Sequence, residues 1–131
     1  MINLDKKEVI ERAFIINYKV DDFDDKSFID LFILGLADIQ DKFGETALIW
    51  ASDWDDMEIV DLLIKNGANV NIQDKLGRTA LMQASRNDNE KIVKLLIQYG
   101  ANLNLQDTRG KTVLDYANTE IKRLLKQAGA K

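Results

Sequence analysis

Asp53, Asp55, Asp56 and Glu58 crowd into one short stretch, and a second acidic run, DDFDDKSFID, occupies 21–30. Clustered carboxylates serve two chemistries: general acid–base work by an unequal pair, or coordination of a hard cation such as calcium. The run at 21–30 fails as a calcium loop, because Ser27 stands where the turn needs glycine and no glutamate closes it. The cluster at 53–58 lacks a nucleophile and has no feature that raises one carboxyl above its neighbours. The chain contains no histidine and no cysteine, which removes imidazole catalysis, His metal sites and thiol chemistry. Its seven glycines form neither GxxxxGK nor GxGxxG. The acids therefore read as solvated turn residues and as charges favouring a helix N-terminus. The chain is expected to be no enzyme, with no cofactor and no metal.

The other residues that invite a function are Trp50 and Trp54, the two tryptophans of the chain, in IWASDWDDMEIV (49–60). Four apart on a helix, they lie side by side. They belong either to a binding surface or to the packing of the chain's N-terminal part. The composition narrows the partner. Net charge is −4, no footprint for nucleic acid or an anionic membrane surface. The longest apolar stretch, FIDLFILGLA (28–37), is too short to span a bilayer and contains Asp30. MINLDKKEVIERAF does not have the pattern of a signal peptide. The lack of cysteine suits a reducing compartment, and the expected location is cytoplasmic.

What positions these residues is a repeat. QDKFGETALIWAS (40–52) recurs as QDKLGRTALMQAS (73–85) and QDTRGKTVLDYAN (106–118), and IVDLLIKNGANVNI (59–72) recurs as IVKLLIQYGANLNL (92–105). Asp41/Asp74/Asp107, Gly44/Gly77/Gly110, Thr46/Thr79/Thr112 and Leu48/Leu81/Leu114 all keep a step of 33. Such a period marks a stacked array whose units cannot bury their faces alone. Each unit reads as a turn, a short helix capped by its threonine, a turn at Asp55 or Asp88, and a second helix. That second helix buries Ile59, Val60, Leu63 and Ile64 and stops at glycine.

The D-x-x-G-x-T-x-L-x-x-A and I-V-x-L-L-I-x-x-G-A-N-x-N patterns resemble the ankyrin repeat family from about Gln40 to Lys131. Two family positions differ: Ala47, Ala80 and Val113 replace its proline, and Ile49, Met82 and Asp115 replace its histidine. The resemblance implies an all-α ankyrin-repeat solenoid of about four helix-turn-helix units in one domain. A divergent N-terminal cap (1–39) with an amphipathic helix over 5–18 would precede full repeats at 40–72 and 73–105. A short C-terminal capping repeat (106–131) would end the stack, with Lys122, Arg123 and Lys126 on its outer face.

Taken at 100° per residue, Trp50 and Trp54 lie about 200° and 240° from Leu48, off the stripe that every unit shares. Their counterparts are Gln83 and Tyr116, and Asn87, so these positions are expected to be open rather than core. The resemblance implies that they line a concave groove that binds another protein. Carried over residue by residue, the first unit contributes Lys42, Phe43, Glu45, Trp50, Asp53, Trp54 and Asn66. The second contributes Lys75, Leu76, Arg78, Gln83, Arg86, Asn87 and Tyr99, and the last Arg109, Lys111 and Tyr116. The aromatic and apolar members among them are expected to gather on one side. Lys75, Arg78, Arg86, Arg109 and Lys111 would form a basic strip opposite Glu45, Asp53 and Asp56, or else ordinary surface charge. The implied function is non-catalytic binding of a partner protein whose identity the sequence does not give. The alternative is a scaffold that self-associates weakly through the same patch.

Overall fold

The computed structural model describes residue 38 and residues 40–131. Among these the chain is helical, with α1 (Ala47–Asp53), α2 (Met57–Lys65), α3 (Ala80–Arg86), α4 (Glu90–Gln98), α5 (Val113–Tyr116) and α6 (Thr119–Gln127) in order. The expected N-terminal cap, its helix over 5–18 and the acidic run at 21–30 lie outside the described residues.

Every described helix but α5 starts where a side-chain oxygen satisfies a free N–H of its first turn; at α5 the Asp115 carboxylate accepts the Thr112 amide at 2.9 Å. Thr46 accepts from the Ile49 amide at 3.2 Å, and Thr79 from the Met82 amide at 3.2 Å. The second helices use Asp56, Asn89 and Asn118, which accept from Ile59 (3.2 Å), Ile92 (3.1 Å) and Ile121 (2.9 Å). Asp56, one of the clustered carboxylates, is thus a helix cap. Between the helices Asp55 and Asp88 take the left-handed conformation at φ 60 and 58, which a short polar side chain tolerates.

The spacing of apolar residues decides which face goes inward. α2 buries Ile59, Val60, Leu63 and Ile64, and α4 buries Ile92, Val93 and Leu96. Leu63 and Leu96 are both fully buried, and each such side chain contributes about 1.5–3 kcal/mol. α1 packs on α2 and α3, α3 on α4 and α5, and α2 on α4. The result is an inner row, α1–α3–α5, backed by an outer row.

Between units the turns form a continuous polar seam. The Lys75 amide donates to the Phe43 carbonyl and the Thr108 amide to the Leu76 carbonyl, both at 2.9 Å. The Gln40 side-chain Nε2 donates to the Gly44 and Gln73 carbonyls, and Gln73 Nε2 repeats this with Gly77 and Gln106. The Asn102 amide donates to Asn71 Oδ1 at 2.6 Å, and the Asn69 amide to Asp38 Oδ1 at 2.8 Å. The turns pass so close that a Cβ on Gly44 would stand 2.8 Å from the Lys75 nitrogen. The last inner helix, α5, has 4 residues against 7 in α1 and α3, because Asn118 opens α6 directly after Ala117.

Candidate functional site

In the first turn Asp41 Oδ1 accepts the Phe43 amide (2.9 Å) and the Glu45 amide (2.8 Å). Asp74 and Asp107 do the same for Leu76 and Arg78, and for Arg109 and Lys111. These bonds set the shape of each hairpin-like turn and push the two residues after the aspartate to its tip. There Phe43 and Leu76 are 56% and 54% exposed, the two most exposed large apolar side chains described. Lys42 lies with its Nζ 5.1 Å from the Phe43 ring centre, a cation–π arrangement. Lys75, Arg109 and Lys111 are exposed beside them.

One residue deeper, at the entrance to the inner helices, opposite charges occupy equivalent positions of neighbouring units. Arg78 reaches Asp74 Oδ2 at 3.0 Å and Glu45 Oε1 at 3.8 Å. Burial and the nearby carboxylates of Asp41 and Asp74 push the Glu45 carboxyl above its ordinary range, with Arg78 opposing.

The inner-helix column holds Trp50, Gln83 and Tyr116. Trp50 Nε1 donates to Asp41 Oδ2 at 3.3 Å, and the Tyr116 hydroxyl donates to Asp107 Oδ2. That bond is the main cause holding the Asp107 carboxyl below its usual range; for Tyr116, burial and then the bond push the phenol up. Gln83 departs from the expectation of an open position: it is 3% exposed, and its Oε1 accepts no hydrogen bond. α3 is flanked by an inner helix on both sides, an environment that the angular position within one helix does not contain.

At the far end of α1 the Trp50 and Trp54 rings meet edge to face, 5.1 Å apart at 88°, and Trp54 stays 45% exposed. Arg86 crosses to Asp53 at 2.8 Å, and Asn87 Nδ2 donates to the Asp53 carbonyl at 2.7 Å. Asn66 and Tyr99 stand elsewhere, as the C-caps of outer helices α2 and α4. The Asn66 side chain donates to the Leu62 carbonyl. Tyr99 lies within electrostatic reach of Lys65, itself bonded to Asp61.

Phe43 and Leu76 form a tip row, Trp50 and Trp54 form a corner on α1, and Tyr99 ends an outer helix. In the expected basic strip Arg78 and Arg86 differ from the lysines, since each pairs with an acid of the neighbouring unit. The sequence reading saw the aspartates at 41, 74 and 107 as turn residues and missed their second role as anchors for the inner column. The signal available was an aromatic donor at the same offset from Asp41 and Asp107. Among the described residues no group of three or more acidic side chains is arranged to hold a metal ion, and no helix is long and apolar enough to cross a membrane.

A family model described as ankyrin repeats (3 copies) matches residues 16–107 and again 55–131. No curated protein matches the chain.

Proposed function

The chain belongs to the ankyrin repeat family, and on that premise we propose that it binds a partner protein, without catalysis, through its inner-helix groove and turn tips. Ankyrin repeats generally mediate protein–protein interaction. The observation that carries the reading here is the exposure of Phe43, Leu76 and Trp54 on the turns and inner row. Nothing in the stacking of units requires an apolar residue at these three places. Large apolar side chains set among charges are what interfaces use as anchors. A cytoplasmic, monomeric protein is part of the same proposal.

The test is affinity capture from the native lysate with the intact chain and with Phe43→Ala, Leu76→Ala and Trp54→Ala combined. Loss of specific partners supports the reading, and recovery of the same partners at equal strength overturns it. Trp50 is left untouched, because its indole also holds Asp41. Concentration-dependent sedimentation of the intact chain, abolished in the same variant, would instead favour self-association through these residues.

A further inference from the structure

We propose that the row of turn tips receives an acidic, apolar-bearing extended segment of the partner protein; this rests on the binding reading above and specifies its ligand. Two observations carry it. Of the cations on the binding side, Arg78 and Arg86 are held by Glu45, Asp74 and Asp53. Lys42, Lys75 and Lys111 have no ion pair among the described residues, and Arg109 is 70% exposed with Asp107 4.0 Å away. In a chain of net charge −4, three lysines without an ion pair among the described residues and a largely exposed Arg109, 4.0 Å from Asp107, therefore line one edge, interleaved with exposed Phe43 and Leu76. At the opposite end of the inner row Asp55, Asp56 and Asp88 stand around the inter-helix turns, while Asp53 is paired with Arg86. An acidic segment is drawn to the tips and repelled from that far end, which fixes where it docks.

Spacing gives the segment its conformation. Adjacent tips are joined directly by the Lys75–Phe43 and Thr108–Leu76 backbone bonds, and the helices behind them pack at about 8–10 Å. A chain extended as a polyproline II helix rises about 3.1 Å per residue with three residues per turn, so every third side chain faces the same way and meets a new tip. Acidic residues then pair with the lysines while an apolar residue covers Phe43 or Leu76. A nucleic acid meets the same cations and can stack a base on Phe43, but it has no aliphatic side chain to cover Leu76.

The experiment uses the full chain and fluorescence anisotropy of a labelled peptide of about nine residues repeating Glu-Glu-Phe, set against a Lys-Lys-Phe peptide of equal length. The acidic peptide is expected to bind at least about tenfold more tightly, and to weaken as salt is raised. Lys42→Glu, Lys75→Glu and Lys111→Glu together are expected to reverse the preference. These side chains are exposed and Glu45 already occupies the position equivalent to Lys111, so the fold tolerates the change, checked by an unaltered melting curve. Phe43→Ser with Leu76→Ser is expected to weaken the acidic peptide without reversing the preference. Equal binding of both peptides, an unchanged preference in the charge-reversed variant, or tighter binding of oligo-dT overturns the inference. So does a failure of both peptides to bind, in which case the broader reading is still judged by lysate capture with the alanine variant.

Discussion

The Tyr116 hydroxyl donates to Asp107 Oδ2 while the other oxygen of that carboxylate accepts the Arg109 and Lys111 amides at 2.8 and 2.9 Å. One side chain thus ties a turn tip to the helix behind it. Trp50 and Asp41 repeat the relationship at 3.3 Å. In the middle unit Arg78 occupies Asp74 Oδ2 instead, and Gln83, the counterpart of the two aromatic donors, is left with an idle acceptor. The tips that carry the proposed binding residues are held from behind by these clasps.

Tyr116→Phe removes one clasp and is expected to lower the urea midpoint without changing the slope. The pH dependence has a definite sign. Asp107 has a folded pKa below its ordinary 3.8, so its contribution is present above that value and is lost as pH falls through the folded pKa. Tyr116 has a folded pKa above its ordinary 10.0, so stability falls as pH rises past 10.0 toward it. Both slopes should shrink or vanish in the variant. Urea titrations at acid, neutral and alkaline pH check this, and identical acid limbs in the two proteins would refute the clasp.

Glu45→Gln is expected to act in the opposite direction. Burial, then Asp41 and Asp74, raise its folded pKa above 4.5, so the charged form is disfavoured in the fold. Wild-type stability therefore falls as pH rises from 4.5 through the folded pKa. Removing the charge should stabilise the chain at pH 7, with the gain disappearing below about pH 4 as the wild-type carboxyl protonates in both states. The weak pairing with Arg78 at 3.8 Å works against the gain. A loss of stability at pH 7 would show that this pairing outweighs the burial and repulsion.

The stack itself was legible because its rules are local and repeat. Threonine caps, glycine stops, left-handed aspartates and the Ile59–Ile64 stripe each follow from one unit's own sequence. Contacts between units were harder to read, yet some left a trace. Glu45 faces Arg78 and Asp53 faces Arg86, each pair occupying the same position in adjacent units with the charge inverted. Comparing equivalent positions for opposite charge, rather than for one shared sign, would have paired them and removed both arginines from the basic strip. The family resemblance carries Tyr99 and Asn66 over together as the residue before the second helix's glycine, and both are C-caps of outer helices.

Gln83→Met tests the cost of the idle acceptor. A buried polar atom without a partner is destabilising, whereas an apolar replacement of similar shape is neutral or better. The variant is expected to be more stable by about 1 kcal/mol in urea unfolding. A less stable variant would mean that the amide is satisfied by ordered water.

Gly77→Ala and Gly110→Ala separate backbone strain from the contact between units. The two glycines have nearly the same left-handed φ, +76 and +77, so an added Cβ costs each about 1–2 kcal/mol. Around Gly110 a Cβ meets nothing within 4 Å, but at Gly77 it stands 2.7 Å from Asp107 Cα. Backbone atoms must move there, and overpacking of this kind costs about 1–3 kcal/mol more. Gly77→Ala is therefore expected to lose more stability than Gly110→Ala by that difference. It should also speed hydrogen exchange at the Thr108 amide, whose bond to the Leu76 carbonyl at 2.9 Å lies beside the clash. Gly110→Ala should leave that amide as protected as in the wild type after allowance for global stability. Equal losses in the two variants would mean that the units do not approach as closely as the Gly77–Asp107 contact requires.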